Sequence, residues 1–298
     1  MKILVIGCNG FLGRHISDFF HASGNEMYGC DTADISAHYI HYFKTNQENE
    51  GLDVFLERQH VDVCINAAGS GNVGYSIQNP LADFGSNTSS VFRILNLLRA
   101  HKPDCKYLHI SSAAVYGNPT SLPIKEKDLC VPISPYGFHK WMSEIICKEY
   151  SQIFNLHIAI IRPFSVYGEG QRKLLLWDVC NKLKDADEID LYGTGHESRD
   201  FIHVHDLAKL LSCIIESGTF SCEIYNAASG NETTIREIAD IFSACYGGIK
   251  KISFSGQVRT GDPINWRADM TAAKAIGYSP SIDIREGLER FVKWYKGL

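Results

Sequence analysis

The segment Gly7-Cys8-Asn9-Gly10-Phe11-Leu12-Gly13 follows directly on the β-branched run KILVIG. It leads into GRHISDFFHASG, whose Ile16, Phe19 and Phe20 have helical spacing. A strand, a glycine-rich turn and a helix in that order leave few folds open. Glycine lets the backbone come close to another group, and the helix N-terminus offers unpaired N–H groups and the positive end of its dipole. Asp31 ends a weaker strand-like run, EMYGCD, 18 residues after Gly13. A carboxylate there can accept hydrogen bonds from the adenosine ribose of a dinucleotide, and it repels a 2′-phosphate. The glycines alone also fit an ordinary tight turn. With the strand, the helix and Asp31 they favour a dinucleotide, NAD over NADP.

Farther along, the strand-like runs VDVCINAAG, KYLHISS and LHIAIIRP alternate with helix-like ones. NTSSVFRILNLLRAHKP is apolar at 91, 94, 95, 97 and 98, and Tyr136 opens YGFHKWMSEIICKEYSQIFN. This alternation predicts an α/β fold, a Rossmann-type doubly wound parallel sheet covered on both faces. After about residue 165 the rhythm loosens, without a linker or repeat. The expected division is a dinucleotide-binding domain over 1–165, rejoined by about 196–228, and a smaller α/β substrate-binding lobe formed mainly by 166–298. A chain of 298 residues, 45% hydrophobic, can bury the core this needs.

A net charge of −5 gives no support to a nucleic-acid surface. The four-residue apolar run of the N-terminus is too short for a signal peptide, and no apolar stretch approaches a membrane span. The ten cysteines form no CxxC pair, which suits thiols in a reducing cytoplasm and speaks against zinc. His203 and His205 have the spacing of a metal pair on a strand.

SPYGFHK places Tyr136 and Lys140 one helical turn apart. Read alone, it is an ordinary tyrosine above an ordinary lysine. Its company changes that reading: NAAG at 66–69, VGYSIQNP at 73–80, Asn87 opening its helix, SSAAVYG at 111–117, RPFSVYGEGQ at 162–171, GTGHESRDFIHVHDLA at 193–208 and RTGD at 259–262. In number and order these motifs resemble the extended short-chain dehydrogenase/reductase family, the sugar-nucleotide epimerases, dehydratases and reductases.

The resemblance implies that Tyr136 transfers the proton at a sugar carbinol. Lys140 would lower its pKa and bind the nicotinamide ribose, and Ser112 would orient the reacting oxygen. A phenol titrating near ~10 needs such help to act near neutrality. It also implies a cofactor site of Gly7, Gly10, Phe11, Leu12, Gly13, Asp31, Ala67, Ala68, Gly69, Asn87, Tyr136, Lys140 and Pro163. For a nucleotide-diphosphate sugar it implies Ser112 and Ser165, the forked cations Arg199 and Arg259 on the diphosphate, Asp262 near the nucleoside ribose, and Tyr192 stacked on the base. Ala113 and Ala114 stand where the 4,6-dehydratases carry Asp-Glu, and alanines exchange no protons. At His203 and His205 the family that the motifs resemble places a core strand and holds no metal, so a structural role is expected for both.

Two positions depart from the family pattern. Ser165 replaces a common asparagine, and the place of the aspartate that contacts adenine falls on Thr45 or Asn46, not Asp53. The expected activity is redox chemistry at C4 of the hexose, a 4-epimerase before a 4-keto-6-deoxy sugar reductase or a catalytically silent NAD(P)-binding regulator. The helices beginning near Asn87 and Tyr136 imply a homodimer built on four helices. Trp177 is expected to face the core.

Overall fold

The computed structural model describes residues 1–34, 37–248, 250–257 and 263–298. The first half contains β1 (Lys2–Ile6), α1 (Phe11–Ala22), β2 (Glu26–Asp31), β3 (Ile40–Lys44), α2 (Leu52–Arg58) and β4 (Val63–Asn66). It continues with α3 (Val73–Gln78), α4 (Pro80–Phe84), α5 (Ser90–His101), β5 (Lys106–Ile110), α6 (Pro135–Phe154) and β6 (Ile158–Pro163). The second half contains β7 (Ser165–Tyr167), α7 (Leu174–Asp185), β8 (Glu188–Leu191), β9 (Ser198–His203), α8 (Val204–Ser217) and β10 (Ser221–Ala227). It closes with β11 (Glu232–Thr234), α9 (Ile235–Cys245), β12 (Lys251–Phe254), α10 (Thr271–Ala275) and α11 (Ile284–Lys296).

Seven strands form one sheet in the order β10-β6-β5-β4-β1-β2-β3, and every pairing in it is parallel. Alternate side chains of β1 go to opposite faces. Ile3 and Val5 join Ile16 and Phe20 of α1 and Leu207 and Leu211 of α8. Leu4 and Ile6 join Leu52 and Leu56 of α2, Ile94 and Leu98 of α5, and Cys147 of α6. Both faces are thus covered, and strands such as β6 are buried along their whole length. The strand order reverses between β1 and β4, which opens a crevice at their carboxyl ends.

The helix expected to open at Asn87 begins earlier. Pro80 occupies its first turn, where a fixed φ and a missing N–H cost nothing. The chain then passes through a π turn, Gly85–Ser89, into α5, so Asn87 sits inside a continuous helical segment.

Outside the large sheet, β11-β9-β7 and β12-β8 form two small sheets. They pack with α7, α9 and α11 around Leu176, Leu183, Ile238, Phe242, Leu288 and Phe291. Trp177 lies partly buried against this cluster, beside Trp294 and Tyr295. A capping box, Thr234 with Glu237, starts α9. Among the described residues no helix is long and apolar enough to cross a membrane.

Candidate active site

The glycine turn lies at the crevice. Gly7 leaves β1 at φ +82°, and a Cβ on it would stand 2.8 Å from the Ala68 backbone across the switch point. A Cβ on Gly13 would stand 2.0 Å from the Gly7 carbonyl oxygen, so only glycine lets α1 start this close to the strand. Gly10 caps α1 without a side chain, which leaves the first N–H groups open; Phe11 and Leu12 form that first turn. Beside them Asn9 Nδ2 is buried with no partner among the described residues.

One Asp31 oxygen accepts from Asn9 N at 2.9 Å and the other from Thr32 N at 2.7 Å. A carboxylate keeps further lone pairs for hydroxyls. A helix N-terminus, an orphan donor and a ribose-height carboxylate fit a dinucleotide. Thr45 and Asn46 do follow β3, but Asn46 Oδ1 already accepts from Glu48 N and Glu50 N, and Asp53 lies in α2.

The residues expected to react gather at the carboxyl ends of β4 and β5. Ser134 caps α6 and Pro135 fills its first position, so Tyr136 and Lys140 sit in the first two turns. Gly137 presses α6 against the 3-10 turn Ala113–Tyr116, where a Cβ would meet Ala114 O at 2.6 Å. This contact brings Tyr136 to Ser112, whose hydroxyl hydrogen-bonds the phenol and accepts from Ala114 N at 3.1 Å. Ser76, from VGYSIQNP, accepts the buried Tyr136 N–H at 3.1 Å. Lys140 Nζ donates to Ile110 O at 3.0 Å.

Both side chains are almost fully enclosed, at 8% and 5% exposure. Burial pushes Tyr136 up to about 12 against the Ser112 hydrogen bond, with Asp83 adding to the rise. Burial pushes Lys140 down to about 8, opposed by Asp83 and Glu144. Lys140 is not among the groups that shift the phenol. Burial disfavours the charged phenolate, and it disfavours the ammonium of Lys140 for the same reason.

Asn87 Nδ2 donates to Ser70 O at 3.1 Å, while its Oδ1 is buried without a partner among the described residues. That oxygen faces Gly69, where a Cβ would come within 2.5 Å of it and 3.5 Å of Lys140 Nζ. Ala67, Ala68 and Gly69 line the β4 end of the crevice, and Pro163 closes β6, buried.

Sequence reasoning missed Glu144 and Asp83. Glu144 lies one turn beyond Lys140 and receives Arg162 Nη2 at 2.6 Å and the Ser111 hydroxyl at 2.5 Å, which braces the residue before Ser112. Its spacing with Tyr136 and Lys140, four and four, was a usable signal.

The expected substrate residues belong to the smaller sheets. Ser165 of β7 pairs with Phe201 of β9, so it shares a face with Arg199, two residues back along β9. The Arg199 guanidinium donates to Ser198 O at 2.8 Å and lies 5.8 Å over the Trp266 ring. Trp266 in turn donates to Gly117 O at 3.0 Å, at the end of the 3-10 turn that follows Ser112. Tyr192 is exposed after β8. Arg259 and Asp262 lie outside the described residues. His203 Nδ1 accepts from His205 N to cap α8, and its Nε2 donates to Glu169 at 3.0 Å.

A parallel doubly wound sheet with a glycine turn at its switch point and a Ser–Tyr–Lys set beside it defines a dinucleotide-dependent enzyme scaffold. The chain belongs to the NAD dependent epimerase/dehydratase family, which it matches over residues 3–228. It is 30% identical, across 99% of this chain and 98% of the relative, to a Methanocaldococcus jannaschii protein provisionally named a UDP-glucose 4-epimerase. It is 26% identical to the UDP-glucuronate 4-epimerase of Thermodesulfobacterium geofontis, across 98% and 95% of the two chains. Among solved structures it resembles the UDP-glucuronic acid 4-epimerase of Bacillus cereus in complex with UDP-glucuronic acid and NAD. The TM-score there is 0.91 at 26% identity, over 100% of this chain and 99% of the other.

Proposed function

We propose that the chain is an NAD-dependent 4-epimerase of UDP-hexoses. The observation that carries this is the enclosed Ser112–Tyr136–Lys140 set beside the glycine turn, in a chain whose full-length relatives bear UDP-sugar 4-epimerase names. Tyr136 takes the proton of the C4 hydroxyl, Ser112 holds that oxygen in line, and Lys140 and Asn87 bind the nicotinamide ribose. Bound oxidised NAD would supply the hydride acceptor and a positive ring charge that lowers the phenol. The site would have to let the 4-keto sugar turn and present its other face, where Tyr136 would return the proton to the C4 oxygen. Gly7, Gly10, Phe11, Leu12 and Gly13 hold the pyrophosphate, and Asp31 the adenosine ribose. Arg199 and Ser165, with Arg259 and Asp262, take the nucleotide diphosphate.

The protein works as a cytoplasmic homodimer. Phe138, Met142, Ile145 and Ile153 of α6 and Phe92 of α5 are exposed apolar side chains on two adjacent helices, and a second copy would cover them. The division into a cofactor lobe and a substrate lobe is supported by α8 and β10, which return to the large sheet.

The test is interconversion of UDP-glucose with UDP-galactose, and of UDP-glucuronate with its C4 epimer, by protein given no added cofactor. Epimerisation of either pair is the expected result. NAD(P)H consumption seen only with a 4-keto-6-deoxy sugar nucleotide would replace this reading by the reductase. Tight dinucleotide binding without turnover of any nucleotide sugar would replace it by the silent regulator.

A further inference from the structure

Asp83 is fully buried in α4, outside every motif that marks the site, yet both of its oxygens are used. Oδ1 accepts from Asn87 Nδ2 at 3.0 Å, one turn along the same helical segment. Oδ2 accepts from His139 Nδ1 at 2.6 Å, and His139 lies between Tyr136 and Lys140 on α6. Two further contacts meet at His139: Thr88 donates to its carbonyl at 2.9 Å, and Phe84 packs edge-on against its ring. The segment from α4 through the π turn is thereby clamped to α6 at the catalytic turn.

The Asn87 amide has one permitted orientation. Its NH₂ faces the Asp83 carboxylate and the Ser70 carbonyl, and both can only accept. The amide oxygen must therefore point the other way, to its buried place by Gly69 and Lys140. A buried acceptor with no partner needs a donor from elsewhere.

We propose that Asp83 is a positioning residue: it locks the Asn87 amide with its oxygen turned into the dinucleotide cleft, and through His139 it holds the Tyr136–Lys140 turn against that cleft. The inference rests on the cofactor assignment made above. Asparagine at 83 would keep the shape but lose the charge, and one of its two oxygens would become a donor facing the donors of Asn87 or His139.

NADH titrated into the purified protein, first freed of any dinucleotide it carries, and followed by its fluorescence tests this. Asp83→Asn should bind about tenfold more weakly, as should Asn87→Ala. The double variant should lose less than the sum of the two single losses, because part of what Asp83 does reaches the cofactor through that amide. The charged and titratable groups facing Lys140 are Asp83 from α4, Glu144 and Cys147 on its own helix, and His109 from β5. Removing the Asp83 charge should therefore move the alkaline limb of NADH binding to lower pH, which mere loosening of the fold would not do.

Additive losses in the double variant, an unmoved alkaline limb, or unchanged affinity in Asp83→Asn would overturn the proposal. Should that variant fail to fold, Asn87→Ala alone decides, since full retention of affinity there removes the locked oxygen as a ligand. Native protein that bound no NADH would overturn the cofactor assignment as well, which separates the two failures.

Discussion

The Glu144 carboxylate receives both Nε and Nη2 of Arg162, at 2.9 and 2.6 Å, in a place closed to solvent. The guanidinium also lies 4.7 Å over the Tyr116 ring and donates to Glu126 O. The pair joins β6 to α6 one helical turn beyond Lys140. Breaking a buried pair leaves one charge without compensation, which costs far more than the pair contributes over an apolar replacement. Glu144→Gln should lower the unfolding free energy by about 3–5 kcal/mol, read from urea titration. A loss within 1 kcal/mol, roughly that of an exposed pair, would show that water reaches Arg162.

At the glycine turn the limit is steric. With a Cβ on Gly13 only 2.0 Å from the Gly7 carbonyl, either α1 moves away from β1 or the turn opens. Gly13→Ala should abolish dinucleotide binding, measured by NADH fluorescence, in a protein whose far-ultraviolet circular dichroism is nearly unchanged. Retained binding would mean that the turn can widen without losing its ligand.

Tyr136→Phe removes the proposed proton acceptor and its hydrogen bond to Ser112 but leaves the ring's packing intact. General acid–base catalysis contributes on the order of 10² to 10⁴, and turnover of the sugar nucleotide should fall by that factor. NADH affinity should stay within a few-fold of the parent. A variant that turns over at the parent rate would remove Tyr136 from the chemistry.

The large sheet and the glycine turn were legible because each is local. A β-branched run, three glycines and a helical stripe lie within 24 residues, and each segment's pattern matches its place in the fold. The turn that carries Tyr136 and Lys140 stood out through motifs rather than physics, since nothing in SPYGFHK distinguishes a buried tyrosine from an exposed one. What stayed hidden is long-range pairing. Arg162 meets Glu144 across 18 residues, His139 meets Asp83 across 56, and His15 donates to Glu169 O across 154. The rise of the Tyr136 pKa was hidden for the same reason, because it comes from enclosure by segments distant in sequence. The start of α4 at Pro80 was readable in principle from proline at a first helical turn.

The exposed apolar residues of α6 give the assembly its test. Ile145, 53% exposed, can take a charge without disturbing the core of its own chain. Ile145→Glu should leave thermal stability at high dilution unchanged and convert the protein to single chains in light scattering at micromolar concentration. Native protein already scattering as single chains would reject the homodimer.

The ionisation of Lys140 carries a stability signature with a definite sign. Its pKa is about 8 in the fold against 10.5 unperturbed, with burial the main cause. The fold prefers the neutral amine, so this group's contribution is fully present above 10.5 and is lost as pH falls through 8. Between these values the unfolded chain holds a proton that the folded chain has released, and unfolding free energy rises with pH by up to about 3 kcal/mol. Other groups titrate in that window, so the measurement must be a difference. Urea unfolding of the parent and of Lys140→Met at pH 8 and 10.5, both without added dinucleotide, isolates the lysine. The parent should gain stability relative to the methionine variant as pH rises, and the variant should be the more stable at pH 8. Identical pH slopes in the two proteins would mean that Lys140 stays hydrated and charged in the fold, and the enclosed Tyr136–Lys140 pair would lose its physical basis.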